Sequence, residues 1–182
     1  MPSINKFLAV LALILSFCLP AAAQAGSAQF FQKEIGQWTI EGYRGEVEYC
    51  NAKTYWPNGS YAALVVAKGD PNMSLLLHNK EWNIGDPSGT LPEYAATIHF
   101  LGRQNGRDTG TISYELIDSQ TIMLGNVNEK FIDNWINYAS MEVVMPGNIG
   151  RMSIGLGGTR DLVPAFLECI DQLNSNKQGT SL

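Results

Sequence analysis

Apolar and polar residues alternate with the two-residue period of β-strands over much of the chain. Trp38-Thr39-Ile40-Glu41-Gly42-Tyr43 alternates and predicts a strand, and residues 48–56 predict a second. Asn58-Gly59 follows, a dipeptide suited to a two-residue type I′ hairpin because both residues tolerate positive φ. Residues 61–67 (Tyr-Ala-Ala-Leu-Val-Val-Ala) are apolar on both faces and predict a central strand covered on each side. A two-residue turn places Trp56 opposite Tyr61 and Cys50 opposite Ala67. Cys50 then shares a face with Ala52 and Val65.

Asp70-Pro71-Asn72 breaks the pattern, and Ser74-Leu75-Leu76-Leu77-His78 starts a strand that ends near Trp82. Gly85-Asp86-Pro87-Ser88-Gly89 reads as a loop. Residues 94–101 predict a strand with Ala96, Ile98 and Phe100 on one face. Asn105-Gly106 sits in a longer polar turn. Residues 111–116 alternate, with Ile112, Tyr114 and Leu116 inward, and 121–124 predict one more strand.

The period then changes. Phe131, Ile132, Trp135, Ile136 and Ala139 recur at helical spacing behind Asn128, a good cap, and Glu129, which suits a first turn. Residues 141–145 and 152–156 predict two last strands joined through Pro146-Gly147-Asn148. A C-terminal helix follows, capped by Thr159 or Asp161. Its stripe is Leu162, Val163, Phe166, Ile170 and Leu173, with Cys169 at the edge. Many strands, a short helix, two strands and a helix predict a mainly β (α+β) fold. The expected form is an antiparallel β-sandwich or partial barrel, with the short helix and the C-terminal helix packed on the sheet.

The first 25 residues belong to another pattern. Lys6 is their only charge, residues 7–19 form an apolar run broken only by Ser16, and Ala21-Ala22-Ala23-Gln24-Ala25 is a small-residue cluster. A positive start, a short apolar core and an A-x-A site make a cleavable secretory signal. The apolar run is shorter than the roughly 20 residues a membrane-spanning helix needs. Cleavage is expected between Ala25 and Gly26, with a cut after Ala23 as the alternative. Phe17 before Cys18 does not fit an acylated lipoprotein. The expected organisation is a signal at 1–25, one β-rich domain at 26–173 and a polar tail at 174–182, in a periplasmic or secreted product with no membrane span.

Composition narrows the function classes. The formal net charge is -5, with no basic cluster, which argues against nucleic acid or anionic lipid as a partner. Of three cysteines, Cys18 lies in the signal, leaving Cys50 and Cys169. An even pair in an oxidising compartment predicts a disulfide. Cys50 falls on the buried face of a hairpin strand and Cys169 toward the docking side of the last helix, so the bridge is expected to staple helix to sheet.

Candidate chemistry is sparse. His78 and His99 lie on different strands without ligands at metal spacing. Met141, Met145 and Met152 suit core filling better than soft-metal binding. Gly155-Leu156-Gly157-Gly158-Thr159 can hold an anion at a helix start, yet has neither a Walker lysine nor a dinucleotide fingerprint, and a tight strand-to-helix turn accounts for it. Asp86, Glu93, Asp108 and Glu115 offer carboxylates that sequence cannot pair. There is no G-x-S-x-G. The expectation is no catalytic residue, no metal and no cofactor. The aromatics Tyr55, Trp56, Tyr61 and Trp82 cluster around the first hairpin and are the candidate binding patch.

Gly36-Gln37-Trp38-Thr39-Ile40, the single Cys50 after it, and Ile154-Gly155-Leu156-Gly157-Gly158-Thr159 leading into a helix with Cys169 carry a resemblance. In this layout the chain resembles small exported proteins of α-proteobacteria related to the invasion-associated locus B family, departing from them in having only two cysteines after the signal. The resemblance implies a periplasmic, non-enzymatic β protein linked to the envelope or to host contact. Its partner is expected to be another protein. The alternative is an inhibitor or immunity protein against an envelope hydrolase such as a lysozyme, amidase or protease.

Overall fold

A computed structural model describes residues 27–70, 72–85, 94–102, 106–125, 127–147 and 149–175. The expected signal at 1–25 with its expected Ala25–Gly26 cleavage, Asp86, Glu93, Asn105 and most of the polar tail lie outside the described residues. The chain is mostly β. Its strands are β1 (Ala28–Ile35), β2 (Trp38–Arg44), β3 (Tyr49–Tyr55), β4 (Tyr61–Ala67), β5 (Ser74–His78), β6 (Tyr94–Leu101), β7 (Arg107–Asp118), β8 (Thr121–Leu124), β9 (Ser140–Val144) and β10 (Arg151–Gly155). Helix α1 (Glu129–Asn137) precedes β9, and α2 (Thr159–Asn174) follows β10.

All ten strands form one antiparallel sheet in the order β1-β2-β3-β4-β5-β8-β7-β6-β9-β10. The sheet curls without closing into a barrel. Gln37, at the β1–β2 turn, donates from Nε2 to the Gly155 carbonyl of β10 at 2.9 Å, so opposite ends of the sheet approach each other. The inner face buries one continuous apolar cluster, from Trp38 and Ile40 of β2 to Met152 and Ile154 of β10. Both helices pack into that face. Helix α2 lies against β1, β2, β3 and α1, and Trp135 of α1 meets Trp38 of β2 with ring centroids 5.6 Å apart. This is the expected mostly β architecture with both helices on the sheet, in its open-barrel form.

Local chemistry explains the helix ends. Asn128 caps α1 by accepting the Phe131 N–H on its side-chain oxygen at 2.9 Å. Neither Thr159 nor Asp161 caps α2. The cap is Gly158 at φ 84°, without a side-chain bond. The Thr159 hydroxyl is buried instead, 2.6 Å from the Trp135 carbonyl and 2.9 Å from that of Leu156, where it ties the end of α1 to the start of α2. The buried stripe of α2 runs through Leu162, Ala165, Phe166, Cys169 and Leu173, so Cys169 sits within the stripe rather than at its edge. It is bonded to Cys50, Cα to Cα 6.1 Å, across 119 residues of sequence. The bridge joins α2 to β3, helix to sheet.

The central strands are buried on both faces, as their composition predicts. Ala62, Leu64 and Val66 face inward, while Ala63 and Val65 join Tyr49, Leu76 and Met123 in a second cluster on the outer face. Three strands depart from expectation, β7 by running past both ends of the expected 111–116. β1 is an additional edge strand, and β5 stops at His78, leaving Trp82 in the turn that follows.

Candidate functional site

The β3–β4 hairpin sets the geometry of the outer face. Its loop is not a two-residue turn. The Gly59 N–H donates to the Trp56 carbonyl at 2.8 Å and the Trp56 N–H to the Ser60 carbonyl at 2.9 Å. Pro57 suits the second position of the turn, and Gly59 takes φ 84° after it. This three-residue loop, a type I turn plus a left-handed glycine, is the other common hairpin connection. It moves the register by one residue. Tyr55 therefore stands opposite Tyr61, and Cys50 opposite Val66, in place of the expected Trp56–Tyr61 and Cys50–Ala67 pairs. Val65 falls on the face opposite Cys50, since a one-residue shift reverses every side chain of the strand.

This register decides which aromatics meet. Tyr55 and Tyr61 sit side by side on the outer face, ring centroids 5.7 Å apart. Tyr61 in turn stacks on His78 of β5 at 5.0 Å, with planes 15° from parallel. Trp56 turns inward against the main core, and Trp82 is 2% exposed within it. The four aromatics of the sequence patch thus divide into two on the outer face and two in the core. His78, which the sequence marks only as a strand histidine without metal-ligand spacing, completes a row of rings across β3, β4 and β5. Tyr55, at its free end, is 57% exposed.

Hydrogen bonds extend the row. His78 Nδ1 lies 3.0 Å from Thr121 Oγ1, and that hydroxyl donates to Asp118 Oδ2 at 2.8 Å. Burial pulls the His78 pKa down; Asp118 opposes the shift and Lys80 adds to it. Further along the same face, Tyr43 of β2 and Tyr49 of β3 pair at 5.2 Å. Burial, followed by the charge of Glu41, pushes the Tyr49 hydroxyl up to about 12 and the Tyr43 hydroxyl higher. Both hydroxyls stay protonated in any physiological medium. Lys53 forms an ion pair with Glu41 at 2.5 Å between the two aromatic groups.

The remaining candidates are structural or separate. Met141, Met145 and Met152 are core residues. β8 and β7 lie between β5, which carries His78, and β6, which carries His99. Asp108 and Glu115 belong to opposite faces of β7, so the strand keeps them apart. Among the described residues, no three His, Cys, Asp or Glu side chains cluster as a metal site, and no helix is long and apolar enough to cross a membrane. The Gly157-Gly158-Thr159 turn borders a hollow of about 730 Å³ with Gly102, Tyr138 and Arg160.

The fold and this surface define a class: an open ten-stranded antiparallel sheet, a disulfide-anchored terminal helix and a row of rings on the outer face. No family model, no curated protein and no solved structure matches the chain.

Proposed function

We propose that the chain is an exported, non-enzymatic binding protein of the cell envelope that contacts another protein through Tyr55, Tyr61 and His78. The observation that carries this reading is the ring row, ending in the 57% exposed Tyr55. Tyrosine presents large contact area and a hydroxyl at low entropic cost, which is why it anchors interfaces. Because Tyr61 and His78 stack on each other, they offer edges and polar tips rather than flat faces. That suits a hydrogen-bonding protein surface better than a planar stacking ligand. The secretory pattern of residues 1–25, the disulfide and the family resemblance support the envelope setting.

The test is a pull-down from periplasmic extract with the wild-type protein and with a Tyr55→Ala/Tyr61→Ala variant of unchanged circular dichroism. A stoichiometric partner held by the wild type and lost by the variant is expected. A partner held equally by both refutes this surface. A captured hydrolase whose activity falls on binding turns the reading to inhibition.

A further inference from the structure

We propose that a cleft between α1 and the inner face of β6 and β7, away from the tyrosine row, binds a small carboxylate with an aromatic or branched aliphatic body. The cleft encloses about 360 Å³, within the range of small-molecule sites. Its apolar lining is Ile98, Phe100, Ile112 and Phe131. Asp108, Asn128, Lys130 and Asn134 supply polar groups around it, beside the hydroxyl residues Thr109, Thr111 and Ser113 of β7.

Gly110 is the first reason to assign a ligand. It sits inside β7, opposite Ile98. A glycine within a strand marks a bulge, a bend, or a place where a backbone or ligand comes close. The β6–β7 register runs unbroken from Tyr94–Tyr114 to Leu101–Arg107, so there is no bulge. A Cβ built on Gly110 meets nothing within 4 Å among the described residues, so no backbone comes close. Gly125, which also lines the cleft, has the same open space. Two missing side chains leave a notch over an apolar floor.

Counting donors and acceptors gives the polar end of the ligand. The Asp108 carboxylate is already served: Oδ1 accepts the Thr109 N–H at 2.9 Å, and Oδ2 accepts Asn134 Nδ2 at 2.8 Å and faces Lys130 Nζ at 3.3 Å. Lys130 is 76% exposed and makes that one contact, leaving spare donors. Asn128 uses its oxygen to cap α1, which leaves its NH₂ as a donor. With the Asp108 carboxylate occupied, Lys130 is the charged donor left to a ligand, so an acceptor group is favoured beside it. An anionic acceptor gains most from Lys130.

The probes are 3-phenylpropanoate and 4-methylpentanoate, titrated into the ¹⁵N-labelled oxidised protein. Saturable shifts are expected at the amides of Gly110, Ile112, Gly125 and Lys130. 3-Phenylpropanamide should bind about tenfold more weakly, because it lacks the charge that strengthens the hydrogen bond. Gly110→Val places its side chain in open space without positive φ, so it should fold and abolish the shifts. Lys130→Gln, an exposed change, should weaken the carboxylates toward the amide. The proposal is overturned by the absence of saturable shifts at ~10 mM probe, a weak-ligand ceiling, by shifts that survive Gly110→Val, or by equal binding of the amide.

Discussion

Thr121 Oγ1 lies 3.0 Å from His78 Nδ1, and this contact determines where the imidazole carries its proton. The Thr121 hydroxyl has one hydrogen and gives it to Asp118, a carboxylate that can only accept. Toward His78 the oxygen can therefore only accept, so Nδ1 is the protonated nitrogen and neutral His78 presents a bare acceptor at Nε2. A partner on the ring row would place a donor there.

Burial holds the His78 pKa below 6.5 in the folded protein, so the unfolded chain binds a proton more readily. The resulting stability is fully present above about pH 6.5. It declines as pH falls through that value and levels off below the folded pKa. Thermal unfolding at about pH 8 and about pH 5 should show a smaller loss for His78→Gln than for the wild type. An equal loss would mean that His78 titrates as in the unfolded chain.

Asn51 is a structural cost rather than a contact. It is fully buried on the outer face of β3, between Glu41 and Val65 on the neighbouring strands. Neither its amide nitrogen nor its oxygen has a hydrogen-bond partner. An unsatisfied buried amide costs about 1–3 kcal/mol, so Asn51→Leu, of similar volume, should raise stability by an amount of that order. Urea denaturation reads the change as a higher midpoint at unchanged slope. A lower midpoint would show that the amide makes an interaction the leucine cannot replace.

Gly42 makes room for the disulfide. A Cβ on Gly42 would come within 2.8 Å of Cys169 Sγ and 2.6 Å of Phe30 Cζ. Gly42→Ala should therefore cost about 1–3 kcal/mol through overpacking. Cys50→Ala/Cys169→Ala should cost about 2–5 kcal/mol, since the bridge closes a long loop. The two effects should be non-additive, because removing the sulfur relieves one of the close contacts. Denaturation of the three variants and the wild type completes the cycle. Strict additivity would contradict the packing of Gly42 against the bridge.

The parts of the fold legible in sequence were those with strong periods and caps. The doubly apolar β4 and the Asn128 cap follow from local chemistry, and the Cys50–Cys169 pair from the cysteine count. β1 was not legible, because an edge strand exposed on much of both faces, with a bulge between Gln29 and Phe31, has no alternation to read. The hairpin register differs from the one Asn58-Gly59 suggests for a definite reason. Asn58-Gly59 suggests a two-residue turn, yet Pro57 before it favours a type I turn with Gly59 as the left-handed residue. That single residue moved Tyr55 beside Tyr61 and turned Trp56 into the core. The link from Tyr61 to His78, Thr121 and Asp118 crosses four strands out of sequence order, so only the strand pairing reveals it.

The central claim is that the outer face at Tyr55 meets a protein partner. The most direct measurement replaces Tyr55 with a photo-crosslinking residue in the producing cell. The same replacement at Leu167, half-exposed on the solvent side of α2, is the control. A discrete adduct from position 55 and none from position 167 is the predicted result. Equal adducts at both positions, or an adduct only from position 167, would contradict the account.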